Sequence, residues 1–109
     1  MRGGEGDQPG PPYRVELRNR HVEADWQELK RTRADACQRL VKHLQNSPRV
    51  RIGTRYVPMR GNQKYTEFKG EPLPQWQYEI DNRARVKVAI GADFVVIVAV
   101  STGHPKENE

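Results

Sequence analysis

The feature that most constrains this chain is an uninterrupted apolar run near its C-terminal end, from Phe94 to Val100. The run is far shorter than the ~20 consecutive apolar residues that a membrane-spanning helix needs. A short segment that is apolar at every position is typical of a central strand that is covered on both faces. The sequence therefore predicts a β-sheet built around residues 94–100.

Three other segments alternate apolar and polar residues, as strands with one buried face do. Residues 76–80 and 84–90 flank a turn that Asp81 and Asn82 favour, so they predict a hairpin that leads into the central strand. Residues 13–17 alternate in the same way. We expect a three-stranded antiparallel meander, with the N-terminal strand beside its last strand.

Between the first strand and the meander, apolar residues recur at helical spacing over residues 22–44. Thr32 followed by Asp35 resembles a capping box, so we predict two helices near 22–31 and 33–46. One long helix is the alternative, because the two apolar stripes are nearly in phase. The sequence thus predicts an α+β fold in which a small antiparallel sheet packs against two N-terminal helices.

The length of 109 residues fits a single domain. The first twelve residues hold four glycines and three prolines, so we interpret 1–12 as a disordered tail. The folded domain is then expected to cover 13–106, with a polar C-terminal end at 107–109. Glycine and proline repeatedly interrupt residues 49–75, which predicts a long, irregular, basic segment.

The charge balance favours some functions and argues against others. Nineteen Lys and Arg against fourteen Asp and Glu give a net charge of +5, which favours an anionic partner such as nucleic acid or an acidic protein. The N-terminus lacks a secretory signal and Cys37 has no partner cysteine, so we expect a cytoplasmic protein. Because the sequence has no metal-binding spacing and no phosphate-binding glycine motif, we expect no cofactor and no metal. Because no apolar run is long enough to span a bilayer, we expect no membrane association.

The order strand, two helices, basic segment and meander, together with several short motifs, resembles the RelE/ParE toxin superfamily. These motifs are Met59-Arg60-Gly61, Trp76-Gln77-Tyr78-Glu79-Ile80, Arg83-Ala84-Arg85-Val86 and Ser101-Thr102-Gly103-His104-Pro105-Lys106. More narrowly, the chain is similar to actinobacterial members described as cytotoxic translational repressors. The resemblance covers roughly 13–106. It implies a type II toxin that cuts messenger RNA on the ribosome, inhibits translation and is held inactive by a cognate antitoxin.

Such a metal-independent RNase needs proton-transfer groups and a fixed cation. A ribose 2′-hydroxyl loses a proton as it attacks the adjacent phosphate, and the departing 5′-oxygen gains one. Arg85 is the predicted cation, because its fork suits two phosphate oxygens and resembling toxins use a strand arginine at the matching place. His104 is predicted to transfer protons, since the ordinary pKa of histidine is ~6.5. Lysines of the basic segment are catalytic in some relatives, which points to Lys64.

Further cations are predicted to contact RNA or phosphate: Arg60, Lys69, Arg83, Lys87 and Lys106. Two aromatic residues of the basic segment, Tyr65 and Phe68, are expected either to stack on bases or to anchor the segment to the core. The other histidines, His21 and His43, are interpreted as surface residues.

Each candidate residue also has a structural explanation. Arg85 suits a cross-strand ion pair with Glu79, His104 suits a solvated tail, and the basic segment suits a solvated loop. Active relatives often carry an arginine where this chain has Glu79, and some end with a tyrosine that this chain lacks. Two other functions therefore stay open: a non-nucleolytic ParE-like toxin that poisons gyrase or only binds its antitoxin, and a basic RNA-binding module without toxin activity.

Overall fold

In the computed structural model, which describes residues 12–103, two helices pack on one face of a mixed sheet of six strands. The elements are, in chain order, β1 (Arg14–Leu17), α1 (Arg20–Thr32), α2 (Ala34–Asn46), β2 (Tyr56–Pro58), β3 (Tyr65–Phe68), β4 (Glu71–Glu79), β5 (Arg85–Ile90) and β6 (Phe94–Ser101). A 3-10 turn, Gly61–Gln63, separates β2 from β3. The predicted α+β class and the two helices are confirmed. The tail predicted at 1–12 lies outside the described residues except for its last residue.

The strand order of the sheet is β1-β6-β5-β4-β2, with β3 also paired to β4. The meander of β4, β5 and β6 is antiparallel, and β1 lies beside β6, both as predicted. However, β1 runs parallel to β6, with Arg14 opposite Phe94 and Leu17 opposite Ile97. The prediction of a purely antiparallel sheet was therefore wrong at β1. Helices, and no tight turn, follow β1, so no hairpin geometry sets its direction relative to β6.

The two helices are divided where the sequence predicts, but by a different residue. Asn19 caps α1, since its Oδ1 accepts the N–H of Val22 at 3.0 Å. Arg33 ends α1 and precedes α2 with φ of −135° and ψ of 52°, which interrupts the helical path. Thr32 does not form the predicted cap, because Arg33 occupies the N-cap position of α2 and makes no side-chain cap bond there.

The core between the helices and the sheet contains both tryptophans, as expected from the sequence. Trp26 and Trp76 are 5% and 9% exposed. Tyr56 is fully buried and stacks on Trp76 with ring centroids 4.9 Å apart. Its hydroxyl donates to the Pro48 carbonyl at 2.6 Å, and burial raises the pKa of this hydroxyl. Tyr56 thus joins the segment after α2 to the sheet as a neutral hydrogen-bond donor.

The segment 49–75 is more regular than predicted, since β2 and β3 lie along one edge of β4 and β4 itself begins at Glu71. Pro72 and Pro74 suggested a loop, because proline is rare within paired strands. In β4 the N–H and the carbonyl of Gln75 both bond toward the β2–β3 edge. The prolines occupy alternate positions that face the other edge, where pairing with β5 starts only at Gln75. Their missing N–H groups therefore cost no ladder bond.

The β3–β4 hairpin folds back over the face of the sheet that carries no helix. Its tip, Lys69 and Gly70, has φ of 53° and 82°, and positive φ at both positions is what a type I′ hairpin turn requires. The Phe68 ring lies 5.9 Å from that of Phe94, and Arg18 donates to a backbone carbonyl of β3 at 2.6 Å. Under this hairpin lies a small apolar cluster of Leu73, Ala89, Val96 and Val98. The predicted burial of the last strand on both faces is thus confirmed for Val95 to Val98, whereas Ala99 is exposed.

Gly91, between β5 and β6, is expected to tolerate no side chain. A Cβ added there would overlap the Phe94 ring, so the ring would lose its contact with Phe68. We expect Gly91→Ala to lower the free energy of unfolding by about 1–3 kcal/mol, the usual cost of overpacking. Urea denaturation measures this change. In a Phe94→Ala background the same substitution should cost much less, and an equal cost in both backgrounds would contradict the assigned contact.

Candidate functional site

A shallow groove crosses the part of the helix-free face that the β3–β4 hairpin leaves open. Its volume is about 280 Å³. Its lining comes from three adjacent strands: Gln77, Arg85, Lys87, Ala99, Val100 and Ser101. Successive residues of a strand point to opposite faces, so the valines of β5 enter the helix-side core while its cations face this groove. We call this surface the sheet groove.

Arg85 lies opposite Glu79 in the pairing of β5 with β4. Its Nη2 is 3.9 Å from Glu79 Oε2, and the two side chains are 42% and 39% exposed. An exposed pair of this kind contributes about 0–1 kcal/mol. The ion pair that the sequence allows for Arg85 is therefore present, but it is weak and involves one guanidinium nitrogen only.

The 3-10 turn between β2 and β3 borders the sheet groove. Lys87 Nζ donates to Gln63 Oε1 at 2.9 Å, and Gln75 Nε2 donates to the Gln63 carbonyl at 2.8 Å. These two bonds hold the turn against the sheet. Arg60 precedes the turn and Lys64 follows it, and both are exposed. The structure thus places Arg60, a predicted phosphate contact, and Lys64, a predicted catalytic residue, beside the groove that contains Lys87.

The rest of the basic segment lies farther along the hairpin. Lys69, at the hairpin tip, lines a separate depression against β1, and its Nζ is 5.4 Å from the ring centroid of Phe68. Phe68 packs against the small apolar cluster, so it anchors the segment. Tyr65 is 55% exposed, with Lys64 Nζ 5.7 Å from its ring centroid. Of the two aromatic residues considered for base stacking, only Tyr65 offers an open ring.

The β4–β5 turn fixes Arg83 just before β5. Asp81 Oδ1 accepts the N–H groups of Arg83 and Ala84 at 2.9 and 2.8 Å, and Asp81 Oδ2 accepts Arg33 Nε at 2.5 Å. These bonds hold the pKa of the Asp81 carboxyl well below its usual range. The bond from Arg33 has the largest effect, and the two backbone bonds have smaller effects. The turn that leads into the cationic strand is thereby tied to the junction of the two helices.

Two residues of the predicted site, His104 and Lys106, lie outside the described residues. The last described residue is Gly103, where an added Cβ would lie 2.6 Å from the Cβ of Arg83. Gly103 therefore packs against the β4–β5 turn, next to the start of β5. The roles of His104 and Lys106 stay predictions.

A second and larger groove, on the helix side, was not predicted. Its volume is about 890 Å³, and we call it the helix groove. It is lined by α2, the segment before β2 and the end of β4: Arg39, Lys42, His43, Asn46, Ile52, Arg55, Tyr78 and Ile80. Its sequence signal is the recurrence of four polar residues at i, i+3, i+4 and i+7 along α2, a spacing that places them on one helix face. Such a face is usually only solvated, which is why the pattern alone does not reveal a groove.

His43 and Arg55 build the walls of the helix groove. His43 is half-buried, contrary to the prediction of a plain surface residue, whereas His21 is exposed as predicted. The His43 Nε2 donates to the Val50 carbonyl at 2.8 Å, and its ring meets that of Tyr56 edge-on. Arg55 Nη1 donates to two backbone carbonyls at the end of β4, at 2.9 and 3.2 Å. These bonds hold the segment before β2 in place.

No family model matches this sequence, and no curated protein matches it either. The resemblance to the RelE/ParE superfamily therefore stays a prediction that rests on the motifs quoted above. Neither helix of the described part of the chain has the length and apolar character needed to cross a membrane. Within residues 12–103, no three His, Cys, Asp or Glu side chains come together as a metal site requires.

Asp81 generates a prediction about pH. Because its pKa is lowered in the folded protein, its stabilising effect is complete above the ordinary carboxyl pKa of ~3.9 and is lost as the pH falls through the folded-state value. We expect wild type to exceed Asp81→Asn in free energy of unfolding near neutral pH, and the difference to shrink below about pH 4. Asparagine keeps one oxygen to accept the N–H groups of the turn but loses the second oxygen, which accepts Arg33 Nε, so the comparison isolates the interaction with Arg33. Urea denaturation across this pH range is the measurement, and a constant difference would contradict the role of the Arg33 bond.

Proposed function

We propose that this chain is the toxin of a type II toxin-antitoxin system, a RelE-like endonuclease that cleaves messenger RNA on the ribosome and inhibits translation. The observation that carries the proposal is the pair of cations on β5, Arg85 and Lys87, side by side in the sheet groove. A strand in the middle of a sheet holds such side chains in a fixed direction, which suits electrostatic stabilisation of a reacting phosphate. Two cations suit many anionic substrates. The choice of messenger RNA rests on the family motifs quoted from the sequence.

The proposed reaction is the attack of a ribose 2′-hydroxyl on the adjacent phosphorus. The bond from phosphorus to the 5′-oxygen breaks as the bond to the 2′-oxygen forms, which leaves a cyclic phosphate and a free 5′-hydroxyl. Arg85 binds two non-bridging oxygens through its fork and offsets the charge that develops on them. His104 and Lys64 are the proposed groups for removing the 2′-proton and supplying the 5′-proton. This scheme uses no cofactor.

Glu79 determines what Arg85 contacts before RNA binds. The 3.9 Å pair is half-exposed and involves a single guanidinium nitrogen, so it is readily exchanged. A phosphate offers two oxygens to the same fork, and charge-assisted bidentate contacts are among the strongest hydrogen bonds in proteins. Arg85 therefore gains more from the phosphate than it loses on leaving Glu79.

The RNA backbone is proposed to continue from the sheet groove past the 3-10 turn. Lys87 is bonded to Gln63 of this turn, and Arg60 and Lys64 flank it with exposed side chains. Cations spaced along a path are suited to successive phosphates. Arg83, Lys69 and Lys106 are the remaining proposed phosphate contacts.

A cognate antitoxin is the proposed protein partner of the sheet groove. An acidic segment laid across β5 would offset the charges of Arg83, Arg85 and Lys87, and it would exclude RNA from the same surface. Charge complementarity would speed the association of the two proteins, whereas backbone and apolar contacts would supply most of the affinity.

The contact between Glu79 and Arg85 also favours a second candidate function. A carboxylate next to the bound phosphate repels it, and active relatives often carry an arginine at this place. The alternative is a ParE-like toxin that poisons gyrase without cutting RNA, or a basic RNA-binding module without toxin activity. Induced expression with mapping of RNA ends separates them: killing without new RNA ends supports the gyrase poison, and growth without killing supports the binding module.

The Arg85→Ala substitution is expected to abolish most killing without unfolding the protein. Removing one group that stabilises the transition-state charge typically lowers a rate by about 10²–10³-fold. Substitution at an exposed strand position usually changes stability by no more than about 0.5 kcal/mol. Growth after induction and the rate of RNA-end formation are the measurements, with Arg20→Ala at an exposed position of α1 as the matched control. Undiminished killing by a well-folded Arg85→Ala protein would remove Arg85 from the site.

The salt dependence of RNA affinity tests the path of the backbone. For single strands, each phosphate contact contributes roughly 0.7 to the slope of log affinity against log salt concentration. We expect Arg85→Gln/Lys87→Gln to flatten this slope by about 1.4 relative to wild type. Arg20→Gln/Lys30→Gln removes the same charge from α1, on the other face, and should leave the slope nearly unchanged. If the two pairs flatten the slope equally, only overall charge attracts RNA.

A further inference from the structure

We propose that the helix groove is a docking site for an acidic amphipathic helix of a partner protein. The groove lies on the face of the sheet opposite the sheet groove, and its lining shares no residue with the sheet groove. The proposal therefore goes beyond the proposed nuclease and does not depend on it.

The floor and one wall of the helix groove are apolar. Tyr78 and Ile80 form part of the floor, and Ile52, which is 37% exposed, lines the wall. Val50, two residues before Ile52, is 56% exposed. Among the described residues, the exposed large apolar side chains are Val50, Ile52 and Tyr65, so two of them belong to the segment beside this groove. Neighbouring exposed apolar side chains beside a groove are typical of interaction surfaces.

The rim of the helix groove is cationic. Arg39 and Lys42 lie along α2, Arg55 lies on the opposite side, and the lining contains no Asp or Glu. Within residues 12–103, neither Arg39 nor Lys42 takes part in a salt bridge. In the described part of the chain, the side chain of Arg55 bonds to backbone carbonyls and to no carboxylate. The groove is therefore complementary to an apolar stripe bordered by carboxylates.

A helix fits these features better than a nucleic acid does. Phosphates would pair with the cations of the rim. They would cover Ile52 and the apolar floor with charged groups, so burial of this apolar surface would add no favourable free energy. A helix that presents apolar side chains at i, i+3 or i+4 and i+7 fills such a groove, and flanking Glu residues meet the rim. A groove of about 890 Å³ has room for several such side chains.

The walls of the groove are already fixed in the free protein. His43 is bonded to the Val50 carbonyl, and Arg55 is bonded through its side chain to the end of β4. The Arg55 carbonyl also accepts the N–H of Glu79 at 2.8 Å. Because these bonds already order the walls, binding costs little further conformational entropy. Preformed surfaces bind more tightly for the same contacts.

The probe is a fluorescently labelled synthetic helix with leucines along one face and glutamates beside them. The control probe has the same composition in an order that spreads the leucines around the helix. Fluorescence anisotropy with the full chain measures both affinities. We expect only the amphipathic probe to bind. The Arg39→Gln/Lys42→Gln substitutions should lower its affinity roughly 3- to 30-fold, the loss expected for two exposed ion pairs. Ile52→Ser should also weaken it.

Two matched variants control for charge and for the other groove. Arg20→Gln/Lys30→Gln removes the same charge from α1, and Arg85→Ala changes the sheet groove. Both should leave the affinity of the amphipathic probe unchanged. Circular dichroism and urea midpoints verify that every variant is folded, and nuclear magnetic resonance shifts of backbone amides near Ile52 and Arg55 should mark the bound surface.

Three outcomes would overturn the proposal. The first is equal affinity for the two probes, and the second is loss of binding in Arg85→Ala, which would place the probe in the sheet groove. The third is a single-stranded RNA that displaces the probe with a dependence on Arg39 and Lys42 but not on Ile52, which would make the groove a nucleic-acid site. Because killing by Arg85→Ala is measured separately, failure here is distinguishable from failure of the proposed nuclease.

Discussion

The burial of β6 on both faces is the constraint on which the rest of this structure depends. The helices supply the cover on one face, and among residues 12–103 the β3–β4 hairpin supplies it on the other. The hairpin achieves this through a tight turn at Lys69 and Gly70 and through the contact between Phe68 and Phe94. Since the hairpin is short, it covers only the start of β6. The uncovered remainder of that face becomes the sheet groove.

The position of the cations on β5 follows from the same constraint. Once Val86 and Val88 enter the helix-side core, the strand period directs Arg85 and Lys87 to the opposite face. A charged side chain there avoids a desolvation cost only because the hairpin does not reach it. Arg85 and Lys87 are therefore exposed enough to meet a ligand and are still held by a strand that is paired on both edges.

Hydrophobic periodicity was enough to predict the elements that bury one face. It failed for β2 and β3, whose structure depends on pairing with β4. The helices and β5 carry clear repeats and β6 carries an unbroken apolar run, whereas β2 and β3 are too short and too interrupted to show a pattern. Pro72 and Pro74 suggest a loop, because the sequence does not show that their positions face an edge that β5 leaves unpaired. Alternation places Arg85 and Lys87 on the polar face of β5, and the family resemblance singles out Arg85 as the cation of the site. The helix groove was missed because Ile52 and Arg55 join α2 only through contacts distant in sequence.

The two grooves lie back to back on β4, and Glu79, which lines neither of them, contacts one lining residue of each. Glu79 donates its N–H to the Arg55 carbonyl and accepts Arg55 Nη1 at its own carbonyl, so its backbone is bonded to a residue that lines the helix groove. Its side chain points the other way and contacts Arg85. A ligand that draws the Arg55 guanidinium toward its own carboxylates competes with these bonds. Glu79 therefore connects Arg55 of the helix groove to Arg85 of the sheet groove, and it sets the resting position of Arg85.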